Sequence, residues 1–176
     1  GEIGHLPIDP HGPLCECGQR GCLEAVASGT AIAARWPAPD GAVTAASALL
    51  TAARQGDAEA AAVLDEVAGH LAGAVALLAQ TVDPEVVVLG GGVADAGPGL
   101  LVAVQDALRR RASRSPVLAA LHLADRVALV PEGVPAGALG AAVVARRHLE
   151  RSDAQLPHSE PAEPHTVVGG VVSDTS

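Results

Sequence analysis

The chain has 176 residues, 49% of them hydrophobic, and a formal net charge of −9 at pH 7. With one Trp and no Phe, Tyr or Met, the core of a single domain must be built from Ala, Val and Leu. The acidic balance argues against contact with a phosphate backbone. No run of about 18 apolar residues is long enough to span a bilayer, and no signal pattern opens the chain. We therefore expect a cytoplasmic location and no membrane partner.

The first segment, residues 1–24, is rich in Gly, Pro, Cys and His and lacks a clear period. This composition predicts an ordered loop that needs a cross-link to hold its shape. A helical pattern then runs over residues 23–35 (LEAVASGTAIAAR). Pro37 and Pro39 end it, because the residue before a proline is disfavoured in helical geometry.

A second helix is predicted over residues 43–54, ending near Gly56. Asp57 is a good N-cap for a long helix that runs to about Thr81. The apolar residues of this long helix recur at helical spacing, which predicts a buried face. That face consists of Val63, Val67, Leu71, Val75 and Leu78.

The second half of the chain alternates strands and helices. Residues 86–89 (VVVL) and 127–130 (VALV) are short apolar runs that predict buried parallel strands. A helix over 98–112, with Leu101, Val104 and Leu108 on one side, joins them, and a last helix covers 136–150. This order predicts an α/β architecture with parallel strands. Residues 151–176, rich in Ser, Pro, Glu, His and Gly, predict a disordered tail.

All three cysteines fall in one window, CECGQRGC, at residues 15–22. Their odd number and close spacing argue against disulfides, and clustered thiolates repel one another unless a cation holds them. Zn²⁺ with a histidine as fourth ligand is the usual solution. Gly18 and Gly21 allow the turns that bring three sulfurs together. A reduced, metal-free loop and a catalytic thiol are the alternatives, although nothing nearby resembles a nucleophile and its base.

Two histidines are candidates for the fourth ligand. His11 lies four residues before Cys15, and His5 lies ten residues before it. A shorter loop closes at a lower entropic cost, so spacing alone slightly favours His11.

Three segments at the start of the chain, GEIGH (1–5), CECGQRGCLE (15–24) and ASG (27–29), closely resemble the signature of the ROK family. This family comprises bacterial repressors and sugar kinases that share an actin-like, ribonuclease H-like ATPase fold. VDPEVVVLGGGVADAG (82–97) resembles the second Gly-rich segment of the family. The resemblance covers residues 1–150 and implies a domain that binds sugar and nucleotide, the C-terminal portion of a glucokinase-like protein. It also implies a missing N-terminal domain and a homodimer.

The resemblance implies which histidine completes the zinc site. In the family pattern, the histidine of G-E-x-G-H is the ligand, which corresponds to His5 and not His11. The implied ligands of a structural Zn²⁺ are therefore His5, Cys15, Cys17 and Cys22. Such a metal shapes the loop and takes no part in a chemical attack.

The resemblance also implies that Glu2, His5 and Glu24 approach a hexose. Carboxylates and an imidazole form forked hydrogen bonds to vicinal hydroxyls, and such groups discriminate against analogues that lack them. His5 would use one ring nitrogen for zinc and the other for a hydroxyl. Without the resemblance, Glu2 is simply a solvated surface acid, and Glu24 is a first-turn acid that favours the helix dipole.

A glycine run, Gly90, Gly91 and Gly92, follows the first predicted strand. Backbone amides at the carboxyl end of a strand lie where nucleotides bind in open α/β folds. The run is no Walker loop, because the chain has no Lys, and Asp95 breaks the G-x-G-x-x-G pattern. A tight strand-to-helix turn is the simpler interpretation. The resemblance implies that these glycines lie against the adenosine part of ATP.

Two functions fit the resemblance. The first is a hexose kinase, for glucose or a related sugar, that uses ATP with Mg²⁺. The second is a sugar-responsive transcriptional regulator that binds DNA through an upstream helix-turn-helix. The alternative to both is a degraded fragment that keeps only a folded zinc loop. The family's phosphate loop and catalytic aspartate lie upstream of GEIGH. We therefore expect no catalytic residue in this chain and no kinase activity from it alone.

Overall fold

The computed structural model describes residues 2–39, 44–131 and 133–154. The chain divides into two compact units, Gly1–Ala136 and Gly137–Ser176. The first unit contains α1 (Leu23–Ala27), α2 (Gly29–Arg35), α3 (Ala45–Arg54), α4 (Ala58–Val82), β1 (Val87–Leu89), α5 (Pro98–Ala112), α6 (Pro116–Ala120) and β2 (Val127–Leu129). Helix α7 (Ala136–Ala154) starts at the boundary and forms the described part of the second unit.

The helix predicted over residues 23–35 is two helices that meet at Ser28. The backbone of Ser28 is extended, with φ −74° and ψ 164°, and its hydroxyl accepts a 3.1 Å hydrogen bond from the N–H of Ala31. Ser28 is therefore the N-cap of α2, because a serine side chain competes with the helical backbone for hydrogen bonds. Helix α2 ends at Arg35, before Pro37, as the sequence predicts.

Side-chain caps set the start of the next two helices. Thr44 and Ser47 form a reciprocal capping box at α3; residue 43, where the sequence placed its start, lies outside the described residues. The carboxylate of Asp57 accepts a 2.9 Å hydrogen bond from the N–H of Ala60 and begins α4, as predicted. Helix α4 ends at Val82, one residue beyond the predicted end.

Helix α4 is the centre of the first unit. Its N-terminal half packs on α1, α2 and α3, and its C-terminal half packs on α5 and β2. Val63, Val67 and Val75 are buried and Leu71 and Leu78 are half-buried, which confirms the predicted face. Among the described residues, α4 is the one helix long and apolar enough to cross a membrane. Its packing on both sides explains that composition as that of a core helix.

The two strands form a parallel pair with Val87 opposite Val127 and Leu89 opposite Leu129. This confirms the predicted parallel pairing, with each strand one residue shorter than the predicted run. The prediction that both strands are buried is wrong for β1, where Val88 is 52% exposed and its two neighbours are half-buried. Helix α5 connects them and buries Leu100, Val104, Ala107 and Leu108, with Leu101 half-buried beside them.

The sequence analysis missed α6, although Ser115 followed by Pro116 is a helix-start signal. Helix α7 reaches Ala154, four residues into the segment predicted as a tail. The rest of that segment, 155–176, lies outside the described residues.

Candidate metal and sugar site

The cysteine loop is a small hairpin with a turn at its tip. An isolated antiparallel bridge pairs Leu14 with Arg20. The N–H of Cys15 donates to the carbonyl of Gln19 at 2.7 Å, and the N–H of Gly18 donates back to the carbonyl of Cys15 at 2.9 Å. Gly18 has φ +88°, a conformation that suits glycine. The hairpin brings the first two cysteines to the same side of the turn.

The loop folds back on itself at Gly21. This residue has φ +63°, and a Cβ there would collide with the backbone oxygen of Asp9. The carbonyl of Gly21 accepts hydrogen bonds from the N–H groups of Ile8 and Asp9, at 2.8 and 3.1 Å. This crossing brings the third cysteine, Cys22, beside Pro7 in a second antiparallel bridge. Cys22 therefore lies next to the start of the chain.

His5, Cys15, Cys17 and Cys22 converge, with their ligand atoms all within 4.8 Å of one another. Sγ of Cys15 lies 3.6 Å from Nδ1 of His5, and Sγ of Cys17 lies 3.5 Å from Sγ of Cys22. In a tetrahedral zinc site, bonds of about 2.3 Å to sulfur and 2.0 Å to nitrogen give edges of about 3.8 and 3.5 Å. The two short separations therefore suit a four-coordinate metal.

The thiols differ in their acidity. A backbone hydrogen bond from Gln19 is the main cause that lowers the pKa of Cys17 to about 6. Burial, followed by the neighbouring Cys17 and Cys15, raises the pKa of Cys22 to about 12. Three sulfurs this close cannot all be thiolates without a cation. A divalent metal would supply the charge that such a donor set needs.

Gln19 is a residue that the sequence analysis missed. Its side-chain Nε2 donates to the backbone carbonyl of His5 at 3.1 Å and lies 3.6 Å from Sγ of Cys17. Gln19 thus contacts both His5 and Cys17 without being a candidate ligand itself. Such contacts are typical of residues that orient metal ligands. The only sequence signal was an amide side chain placed between the cysteines.

His11 lies outside the cluster, contrary to the preference from spacing. It is exposed, and its backbone N–H donates to the carboxylate of Asp9 at 2.9 Å in the turn over residues 9–12. The antiparallel crossing at Gly21 brings residue 5, and not residue 11, to the sulfurs. His5 is therefore the histidine beside the sulfurs, although fewer residues separate His11 from Cys15.

The structure places Glu24 beside Gly4, the residue that directly precedes His5. Glu24 is exposed in the first turn of α1, and a Cβ built on Gly4 would lie 3.4 Å from its Oε2. Gly4 and His5 share the 3-10 turn Ile3–His5. The carbonyl of Glu2 accepts the N–H of His5 at 3.1 Å, and the Glu2 side chain is exposed. The three predicted sugar-contacting residues thus belong to one short stretch of surface.

The glycine run lies at the carboxyl end of β1, as predicted. Gly91 has φ +74° and its carbonyl accepts the N–H of Ala94 at 2.9 Å, which starts the 3-10 turn Ala94–Ala96. A Cβ on Gly90 would lie 3.0 Å from Cγ2 of Val130. The run therefore makes the tight turn after β1, and the lack of a side chain at Gly90 leaves room for Val130.

The family is shown by comparison with known proteins. The profile of the ROK family matches residues 1–148, and the chain belongs to this family. An N-acetylmannosamine kinase from Yersinia pestis (strain Pestoides F) is 43% identical over 154 residues, which is 85% of this chain and 48% of that protein. The chain thus spans about half the length of the curated relatives it matches.

Solved structures in the same family also resemble the chain. A ROK hexokinase from Thermus thermophilus has a TM-score of 0.64 and 34% identity, covering 86% of this chain and 49% of that one. A ROK glucokinase from Streptomyces griseus, in complex with glucose and AMPPNP, has a TM-score of 0.51 and 34% identity, covering 62% and 40%. A ROK transcriptional regulator homologous to the E. coli MLC protein has a TM-score of 0.54 and 29% identity, covering 74% and 34%.

Proposed function

We propose that this chain is the sugar- and nucleotide-binding part of an ATP-dependent hexose kinase. The relatives that support the proposal are an N-acetylmannosamine kinase, a hexokinase and a glucokinase. The observation that carries it is the position of the Glu24 carboxylate beside the turn that holds His5. A carboxylate and an imidazole together suit the hydroxyls of a hexose. The resemblance adds a homodimer to the proposal, and the location expected from the sequence is cytoplasmic.

A structural Zn²⁺ organises this site in our proposal, held by His5, Cys15, Cys17 and Cys22. The convergence of three sulfurs and one imidazole nitrogen supports it, and a Cys₃His set is one of the common ligand sets of structural zinc. Because Nδ1 of His5 faces Cys15, Nε2 is the nitrogen left for a sugar hydroxyl. The zinc then sets both the position and the tautomer of His5.

The sugar in this proposal is bound by Glu2, His5 and Glu24. Polar groups that pair with hydroxyls give strong selectivity, because an analogue without the hydroxyl leaves them unpaired. The kinase substrate is glucose or a related hexose; an N-acetylated hexose is among the candidates, since one relative is an N-acetylmannosamine kinase.

The nucleotide side of the proposal rests on Gly90, Gly91 and Gly92. Their lack of side chains at the end of β1 supports close approach of an adenosine group. Mg²⁺ would accompany the ATP phosphates, as in other phosphoryl transfers. We propose that the base and the phosphate loop come from outside this sequence, so that the chain has no kinase activity on its own.

A sugar-responsive regulator is the second candidate. It is favoured by the resemblance to a ROK transcriptional regulator. The same pocket would then sense a sugar, and DNA binding would belong to another part of the protein. The acidic charge of this chain, −9, is compatible with that division.

The deciding experiment uses the complete gene product. Phosphoryl transfer from ATP is measured against glucose, mannose, N-acetylmannosamine and N-acetylglucosamine, and DNA binding is measured with and without each sugar. ATP-dependent phosphorylation of one sugar supports the kinase. Sugar-dependent DNA binding with no phosphorylation overturns it in favour of the regulator. The codons upstream of residue 1 provide a quick check, since a helix-turn-helix there indicates a regulator.

A further inference from the structure

His70, on the central helix α4, lies close to the cysteine loop. His70 belongs to α4, and its Nε2 lies 3.9 Å from Oδ2 of Asp9. The side chains are only 16% and 30% exposed. At this distance the contact is electrostatic, longer than a direct hydrogen bond. It joins the core helix to the cysteine loop through two polar side chains.

The other ring nitrogen of His70 is unusual. Nδ1 is buried and, within the described part of the chain, has no hydrogen-bond partner. A buried polar atom without a partner costs free energy. An apolar side chain at position 70 would avoid this cost, and the buried residues of α4 are all Ala or Val. Packing alone therefore does not explain a histidine here.

Asp9 connects this contact to the candidate ligands. Its N–H donates to the carbonyl of Gly21, and its own carbonyl accepts the N–H of Gly12 at 3.0 Å. Its backbone oxygen lies so close to Gly21 that a Cβ there would collide with it. Gly21 directly precedes Cys22. A displacement of Asp9 therefore moves the backbone that carries one of the sulfurs.

We infer that His70 is a positioning residue for the zinc loop, acting through Asp9 and Gly21 on Cys22. The inference rests on the zinc site proposed above. His70 touches neither the metal position nor the sugar-contacting residues in any contact that the structure describes. Its contribution is to fix one side of the loop to α4, so that less ordering is needed when the metal binds.

The test measures zinc affinity in the complete gene product by competition with a chromogenic chelator, for wild type, His70→Leu, His70→Gln and Asp9→Asn. The Nε2 of glutamine can replace that of the imidazole, whereas leucine keeps only the bulk. We expect His70→Leu and Asp9→Asn to weaken zinc binding about tenfold. This is the low end of the losses in metal affinity that are typical when a residue that orients a ligand is changed. His70→Gln should stay within about threefold of wild type. His11→Gln, a histidine change in the same loop, is the control and should leave zinc affinity unchanged.

A second measurement separates positioning from general stability. Thermal unfolding of the metal-free chain should show His70→Leu as stable as wild type or more so, because the change removes an unpaired buried nitrogen. The double variant Asp9→Asn with His70→Leu should lose no more zinc affinity than one single variant.

The outcomes distinguish the two proposals. If wild type binds no zinc, the proposed metal site fails. If wild type binds zinc and His70→Leu binds it equally well, the positioning role is overturned while the metal site stands. A loss of zinc affinity that is equal for Leu and Gln, and matched by lower metal-free stability, also overturns it.

Discussion

Nδ1 of His5 lies 3.6 Å from Sγ of Cys15, although His11 is closer to that cysteine along the chain. The approach depends on the backbone crossing at Gly21, which brings the segment after the cysteines back against residues 6–9. The identity of the fourth candidate ligand is therefore a consequence of the loop's fold.

The metal site predicts one Zn²⁺ per chain. Replacing Cys17 with Ser, or His5 with Gln, should reduce bound zinc to well below one equivalent, because removing one of four ligands weakens a structural site strongly. Metal analysis of the purified chain by plasma mass spectrometry measures this. His11→Gln is the matched control for His5→Gln and should retain one zinc. Equal loss in both histidine variants would contradict the assignment of His5.

Two glycines of the loop should respond differently to alanine. Gly21→Ala combines a positive φ with a collision against Asp9, so we expect a loss of about 3 kcal/mol in unfolding free energy. Gly18 also has a positive φ, but a Cβ there would meet no atom within 4 Å. Gly18→Ala should therefore lower the free energy of unfolding by only about 1–2 kcal/mol. Urea unfolding of the zinc-loaded chain compares them. The interpretation fails if Gly18→Ala is the more damaging change.

The carboxylate of Glu24 is expected to contact sugar. Glu24→Gln in the complete protein should weaken sugar binding about tenfold or more, because a hydrogen bond to a charged group contributes about 1.5–3 kcal/mol. Isothermal titration with the preferred hexose measures the change, and the zinc content should stay at one equivalent. Glu59→Gln is the control, since Glu59 is also an exposed acid in the first turn of a helix. A wild-type affinity in the Glu24 variant would remove this residue from the site.

The core contribution of α5 is tested with two valines. Val104 is fully buried and Val102 is 54% exposed on the same helix. Val104→Ala should reduce the free energy of unfolding by about 2 kcal/mol through lost burial and the cavity left behind. Val102→Ala should change it by less than about 0.5 kcal/mol. Chemical denaturation of both variants checks the difference, and similar values would show that α5 does not pack as described.

Much of the fold was predictable because the spacing of apolar residues and the residues that cap helices are local signals. Asp57 marked the start of α4, and the valine spacing along that helix identified its buried face. The break at Ser28 was missed because the sequence around it keeps a helical pattern. Only the extended backbone and the hydroxyl bond to Ala31 show that one helix ends and another begins.

The sequence by itself identified metal binding as the chemistry to expect at this site, because three cysteines in eight residues with histidines nearby favour a metal over other roles. Residue spacing left the choice of histidine open and the family resemblance implied His5; the tertiary structure shows how the backbone brings His5 to the sulfurs, and it revealed Gln19 and His70 beside the loop. The reason is that ligand type is a property of a side chain, whereas convergence depends on where the backbone crosses itself. That crossing occurs at Gly21, where only a residue without a Cβ allows two segments to touch.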